Sequence, residues 1–553
     1  MNLIARRMRI PLPNISSLVW LGLMAAMFFR PPGDLDYCWQ VRTGQRILAT
    51  GQIGQPDTFS YTIAGKELPD HEWLYEVLLA LVWKGAGDGG LKFVRVCLYI
   101  APLLILARQL RQRGVPDYSA GCFLLLAGFT LFWFERLRPL VCTTICLQLV
   151  SGWLYDQSRG RRPLDWKLPV TTLLWGNLHP AVIMGQFLIG GAIILELARY
   201  WCGWKDADER VPRKPGTTIE NLTLWGMIAL AASMICPAPI NRFLYPFSPE
   251  LRHPIQRMFV EIMPTWQFLW HNRGMQTALA WMVVVLAIIF TALMLRRYWH
   301  FRAWEWALYI CLLGLAVTAV RAIGDWLLVS MALIVPQLGR WLRETVQSRQ
   351  RGPFFPVLVQ LDRQMKSVGS GALFRPQWQW PVLSMTVLLL LALVVPPHLL
   401  PNRQYEETPR ATVDWIQGDP LPSSPPWKIF TGSNEGSYLN WRLDGRARVY
   451  TDTRGFYYPG ELLEDSFYLP REEAEYNVRL QRVLAYGTQY FLLPMDDADG
   501  VEFQFWKSLK PYCSTPLYMD DLTGPGPHYV LLTRAQVIEG VQNRSANTSE
   551  KHR

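Results

Sequence analysis

Long apolar runs alternate with short basic loops from the start of the chain to about Val395, and mixed polar sequence follows. Leu18–Phe29, Met275–Leu295 and Pro381–Val395 are nearly free of charge. Crossing ~30 Å of hydrocarbon takes ~20 such residues in a helix. The pattern predicts about eleven spans: Ile15–Phe29, Leu91–Gln109, Ala120–Phe134, Leu140–Tyr155, Leu168–Leu178, Ala181–Tyr200, Leu222–Cys236, Met275–Leu295, Trp304–Val320, Ile323–Leu338 and Pro381–Val395. Two long polar loops interrupt them, at about 30–90 and about 237–274. The tail reads as α/β. Trp427–Thr431, Arg448–Thr451, Tyr490–Leu493 and Tyr529–Thr533 read as strands, and Arg471–Tyr486 as a helix. The expected organisation is a transmembrane domain over 1–395, an α/β domain over 396–540 and a disordered tail over 541–553.

Charge orients the spans. The 553 residues carry a net charge of +11. Arg6, Arg7 and Arg9 precede the first span, and Arg108, Arg111, Arg113, Arg159, Arg161, Arg162, Arg296 and Arg297 follow later ones. This spacing is the positive-inside pattern, and it displaces a nucleic-acid reading. It places the N-terminus in the cytoplasm, and both long loops and the tail outside. The first apolar run has no small-residue cleavage site and reads as a retained anchor. The mean hydropathy of +0.08 is low for a membrane protein because the polar tail is averaged in.

The nine cysteines form no CxxC pair or Cys/His cluster, which argues against zinc. Cys38 and Cys513 both fall outside the expected spans, so a disulfide between them is an open alternative. Gly85–Gly90 satisfies G-x-G-x-x-G, but it follows an amphipathic helix rather than a strand. A dinucleotide site needs strand, turn and helix, so this segment is expected to be a flexible turn.

Candidate chemistry gathers at the outer ends of the spans. The first outer loop opens with Asp34 and Asp36 and later carries Arg42, His71 and Glu72. Arg136 and Arg138 end one span against the positive-inside rule, and Arg321 ends another. Arg binds phosphate through charge-assisted, bidentate hydrogen bonds. The alternative is a local pair, Arg136 with Glu135 or Arg321 with Asp325. One carboxylate of Asp34 and Asp36 would serve as a general base, and two would share a divalent metal such as Mg or Mn, with His71 as a third ligand. His71 and Glu72 otherwise cap the following helix. Asn177, His179 and Glu261 are the remaining polar candidates on this face.

With these residues in hand, the chain resembles the GT-C superfamily of membrane glycosyltransferases, and most closely a group of bacterial members of unassigned substrate. The run Asp34-Leu35-Asp36-Tyr37-Cys38-Trp39-Gln40-Val41-Arg42-Thr43-Gly44 carries the likeness, followed by Ile53–Gly65 and His71-Glu72-Trp73-Leu74. Leu174–His179, Glu435–Leu439 and Val449–Arg454 also fit. Cys38 and Gln40 stand where the group often has an aromatic and a His, and Ser437 where it has Gly. The resemblance implies transfer of a sugar from a polyprenyl-phosphate carrier at the periplasmic face of a bacterial inner membrane. The acceptor would be a glycan, lipid or protein. Asp36 would be the base, with Asp34 second. Arg136, Arg138 and Arg321 would clamp the donor phosphate, and Arg42, His71, Glu72, Asn177, His179, Glu261 and Tyr438 would contact substrate. The competing expectations are a non-catalytic assembly protein on the same fold and a lipid or polysaccharide transporter. A transporter predicts ionisable groups at mid-membrane depth, and most charges here sit at helix ends.

Overall fold

The computed structural model describes residues 28, 35–115, 117–134, 136–203, 218–240, 263–271, 275–347, 408–418, 421–471, 476–496, 503–521 and 528–550. Asp34, Glu135, Glu261 and most of the first and last expected spans lie outside these residues.

Every other expected span is helical. They are α2 (Trp73–Gln112), α3 (Asp117–Phe134), α4 (Leu140–Ser158), α5 (Lys167–Leu178), α6 (Val182–Trp201), α7 (Ile219–Ser233), α9 (Met275–Arg296), α10 (Ala303–Thr318) and α11 (Ile323–Gln347), with a short α8 (Thr265–His271) before α9. Among the described residues, four helices are long and apolar enough to cross a membrane. Helix α11 is the hub, buried at every residue from Ile323 to Gln337. It packs against α3, α4, α9 and α10.

The first outer loop opens with a helix, α1 (Asp36–Thr50), where the sequence reading expected a polar loop. Its signal is the helical spacing of Tyr37, Val41, Gly44 and Ile47, all buried. Asp36 in the first turn favours the helix dipole, and Gly51 at φ 69 ends it by donating to Ile47 O at 2.8 Å. Gly44 is where α1 meets α2. A Cβ there would overlap the Glu76 carbonyl, a backbone atom that cannot swing aside. Gly44→Ala is therefore expected to destabilise the protein by about 1–3 kcal/mol. An unchanged thermal melt in detergent would show that α1 and α2 do not pack this closely.

Gly85–Gly90, expected as a turn, is a kink inside α2, with Gly87 at φ 54. Tyr75 and Leu79, before the kink, pack with α1 and the tail, and Val96 and Tyr99, after it, pack with the bundle.

The tail holds α12 (Arg410–Gly418), β1 (Trp427–Phe430), α13 (Ser433–Arg442), β2 (Ala447–Val449), α14 (Gly460–Tyr468), α15 (Tyr476–Ala485), β3 (Tyr490–Pro494), α16 (Gln504–Leu509), β4 (Tyr518–Met519), β5 (Tyr529–Thr533) and α17 (Arg534–Glu550). The sheet order is β2-β1-β3-β5-β4. Strands β2, β1 and β3 are parallel, while β5 runs antiparallel to β3 and β4. The first outer loop extends this sheet. Ser60 bridges Val449 in parallel, Tyr61 N donates to Val449 O at 3.1 Å, and Val449 N donates to Phe59 O at 3.0 Å.

One expectation about the tail is corrected, and one open alternative is closed. Residues 541–550 are helical rather than disordered, because Asn543, Arg544 and Asn547 bond back to Tyr512 and Ser508. No disulfide joins Cys38 and Cys513; Cys38 is buried in the core shared by α1 and the sheet, whereas Cys513 lies against α17.

Candidate active site

The N-terminus of α1, the start of α2, the start of α4 and the α5–α6 junction bring a set of polar side chains together. Asp36 is buried at the first turn of α1, and Arg138, just before α4, binds it through Nε at 2.8 Å. Glu72 sits one residue ahead of α2, within electrostatic reach of Asp36 and Arg138. Gln40 Nε2 donates to Glu72 Oε2 at 3.4 Å, and His179 Nε2 lies 3.7 Å from Glu72 Oε1.

The orientation of His179 follows from its neighbours. Ala181 N–H points at His179 Nδ1 at 3.4 Å, so Nδ1 is an acceptor. Trp175 Nε1 donates to Thr143 Oγ1 at 2.8 Å, which leaves the Thr143 hydroxyl to donate to Nδ1, also at 2.8 Å. The remaining ring proton is then on Nε2, facing Glu72. The next residue, Thr144, donates to Asp325 Oδ1 of α11 at 2.6 Å, and Arg321 lies within electrostatic reach of Asp325. One turn of α4 thus ties both halves of the site together.

Burial, with Asp70 and Asp36 nearby, pushes the Glu72 carboxyl up to about 8. The folded chain therefore holds this proton more tightly than the unfolded one. The stability that Glu72 contributes is fully present below its ordinary 4.5 and is lost as pH rises toward 8. The melting temperature of the wild type is expected to fall between about pH 5 and pH 8, and that of Glu72→Gln to fall less. Parallel curves would show that Glu72 does not titrate in this range.

The other sequence candidates divide. Arg136 is half-buried beside Arg138. His71 is buried at the same turn as Glu72. Glu72 is the N-terminal flanking residue of α2, yet its side chain makes no capping bond, so the capping role does not hold for it. Asn177 spends its amide on structure, accepting from Trp73 Nε1 at 2.9 Å and donating to Leu173 O and Ile235 O. Arg42 faces away from the cluster and pairs with Asp444 of the tail. Tyr438 is fully buried against α1 and accepts from Arg442 at 3.0 Å, so it does not present a surface to substrate. Among the described residues no group of three His, Cys, Asp or Glu side chains is arranged to hold a metal, and Asp36 faces a guanidinium instead. Gln40, Thr143 and Thr144 were missed. A Thr within an apolar helix carries no signal of its own in one sequence.

A separate apolar groove of about 450 Å³ lies between α9, α10 and the start of α11. Val283, Ile288, Leu295, Leu313 and Val317 line it, and it reaches Ile323 and Trp326, on either side of Asp325 in sequence.

No family model and no curated relative matches the sequence. Solved structures do. The oligosaccharyltransferase of Archaeoglobus fulgidus, tethered with an acceptor peptide containing the NVT sequon, aligns with a TM-score of 0.50 at 11% identity, over 93% of this chain and 73% of that one. The same archaeal enzyme in complex with an inhibitory peptide and a dolichol-phosphate gives 0.50 at 12%, over 93% and 74%. The chain has the GT-C fold. ArnT from Cupriavidus metallidurans, bound to undecaprenyl phosphate, aligns at a TM-score of 0.43 and 10% identity, over 94% of this chain and 96% of that one. At these identities the likeness is one of architecture. The GT-C fold accounts for a helical membrane bundle with a long first outer loop, and function has to be argued from the site itself.

Proposed function

We propose that this protein is a glycosyltransferase that moves a sugar from a polyprenyl-phosphate carrier to an acceptor hydroxyl at the outer, periplasmic face of a bacterial inner membrane. The observation that carries this reading is the pairing of the buried Asp36 with the half-buried Arg138, with Glu72 and His179 beside it. A carboxylate and a cation side by side suit a reaction in which one bond needs a proton acceptor and the other needs charge stabilisation.

In that reaction the bond from the sugar C1 to the phosphate oxygen breaks, and a bond from the acceptor oxygen to C1 forms. Phosphate leaves as an anion, so the leaving group needs no general acid. Asp36 takes the acceptor proton. Arg138, with Arg136 and Arg321 on the same face, offsets the charge growing on the phosphate. The apolar groove fits the prenyl chain. It follows α9 from Val283 to Leu295, about 18 Å of helix, and its other end lies at Ile323, two residues from Arg321. On the positive-inside reading of the basic loops, the N-terminus is in the cytoplasm and the tail outside.

The test is donor turnover by the full chain in nanodiscs, with a panel of polyprenyl-phosphate sugars and release of the lipid phosphate as the readout. Turnover establishes the transferase. Silence across the panel, with and without candidate glycan, lipid and peptide acceptors, favours the assembly protein.

A further inference from the structure

Arg113 closes α2 among the arginines whose spacing orients the bundle, yet it does not share their setting. Arg108 and Arg111 are exposed, whereas Arg113 is 7% exposed. A guanidinium buried in a helical membrane bundle is costly and persists where its donors are used.

Its partner accounts for the burial. Pro336 lies within α11 and has no N–H, so the carbonyl four residues earlier, that of Ala332, loses its helical donor. Arg113 Nη1 donates to that same carbonyl. Ala332 is itself buried, and a carbonyl freed by proline inside a membrane bundle has to be satisfied by a neighbouring helix. The guanidinium also stacks over Tyr155 of α4 at 3.9 Å. One turn back on α2, Gln109 Nε2 donates to Gln148 O of α4 at 2.8 Å. Gly152 leaves room for that amide, because a Cβ there would overlap it. The inner end of α2 thus grips a backbone carbonyl of α4 and another of α11.

Pro336 also divides α11. The outer stretch, Ile323–Val335, is buried at every residue and starts just after Arg321. It carries Asp325, which accepts from Thr144 of α4 at 2.6 Å. Ala332 lies two turns further in, about 10 Å along the helix. The stretch is therefore held at both ends, by Thr144 at Asp325 and by Arg113 at Ala332. A close-packed segment passes a shift at one end to the other.

We propose that Arg113 is a positioning residue. It stands in for the N–H that Pro336 lacks, and by holding the inner end of this stretch it sets the placement of Asp325 and Arg321 at the outer face. The inference rests on the transferase reading only in giving that end of α11 a donor phosphate to meet; the bond to Ala332 does not depend on it. Asp156 and Glu305 are within reach of the Arg113 charge. An electrostatic anchor on those two acids would be indifferent to residue 336, and a stand-in for its N–H would not.

The experiment is a double-substitution cycle on the full chain in nanodiscs. Wild type, Arg113→Met, Pro336→Ala and the two together are compared by thermal melting and by hydrogen exchange over Ile323–Val335. Met keeps the bulk of the stem and loses the donors, and Ala at 336 returns an N–H to Ala332. Arg113→Met is expected to lower the melting temperature by about 5 °C and to speed exchange of the outer stretch about tenfold. Beside Pro336→Ala both effects should shrink by roughly half or more. Equal losses in the two backgrounds overturn the proposal, because Arg113 would then serve something other than the freed carbonyl. A melting loss with unchanged exchange over Ile323–Val335 confines Arg113 to stability and also overturns it. Folding of Arg113→Met only beside Pro336→Ala supports it. If neither folds, the cycle runs with Arg113→Lys, which keeps the charge and gives up the planar fork, and the same outcomes decide. Donor turnover by Arg113→Met should fall about tenfold and recover beside Pro336→Ala. A fall that does not recover overturns the positioning role. A wild type silent toward every donor removes the transferase reading alone, and melting and exchange still decide whether Arg113 holds the outer stretch.

Discussion

Asp36→Asn is expected to lower donor turnover by about 10²–10⁴-fold while leaving the protein folded. Asn fills the same volume at the first turn of α1 and still offers an oxygen to Arg138 Nε, so the ion pair becomes a neutral hydrogen bond rather than a gap. On the proposed reading, what is lost is the group that takes the acceptor proton. Binding of the lipid phosphate is expected to be retained, because the variant removes a negative charge from beside Arg138. The decisive comparison is therefore turnover against lipid-phosphate affinity. A parallel loss of both would mean that Asp36 only orders the site. Full activity in Asp36→Asn would move the base to Glu72, whose carboxyl is held up to about 8. Turnover would then rise through that pH, because Glu72 must shed its proton before it can accept another.

The helical bundle was legible because a lipid-facing or buried helix must be apolar nearly all round, and charge cannot hide in such a run. The loops were legible through their arginines. The four strands expected in the tail match β1, β2, β3 and β5, since short β-branched and aromatic runs between turns leave few alternatives. The helix α1 was within reach, through Tyr37, Val41, Gly44 and Ile47, but its charged and amide residues masked that period. The candidate cluster was only half readable. Asp36, Arg138, Glu72 and His179 stand out because charge near a membrane exit is costly. Their partners Thr143, Thr144 and Gln40 do not, because a hydroxyl or amide becomes informative only when its neighbour across the bundle is known. Tyr438 and Arg42 misled for the opposite reason. They lie in runs that resemble a family pattern, yet packing turns one into the core and the other toward Asp444. The contact of the first outer loop with β2 joins residues nearly four hundred positions apart, and no local period encodes it.

That contact is fastened by a buried charge cluster, and Arg454→Met is expected to cost about 3–5 kcal/mol. Arg454 is 5% exposed. Its Nη2 binds Asp57 Oδ1 of the first outer loop at 2.8 Å and Asp452 Oδ2 at 2.6 Å, its Nε binds Asp452 Oδ1 at 2.9 Å, and its guanidinium stacks over Phe59 at 4.7 Å. Met has similar bulk, so the packing is largely kept. Two carboxylates remain, both buried and both without their cation, and that is the expensive outcome. Asp57→Asn should cost less, because Arg454 keeps Asp452 and the amide oxygen can still accept from Ser60 N, which Asp57 Oδ2 receives at 3.0 Å. The prediction is read in two ways on the full chain in detergent. Thermal unfolding reports the loss of stability. Limited proteolysis reports where it falls, with new cleavage expected between Gly51 and Lys66 while the bundle stays intact. If Arg454→Met costs less than Asp57→Asn, or the loop remains protected, the loop is held by its strand pairing with Val449 and the cluster does not fasten it. If the loop is released, α1 loses its brace against the tail. The Asp36–Arg138 geometry should then loosen with it, because Asp36 sits in the first turn of that helix.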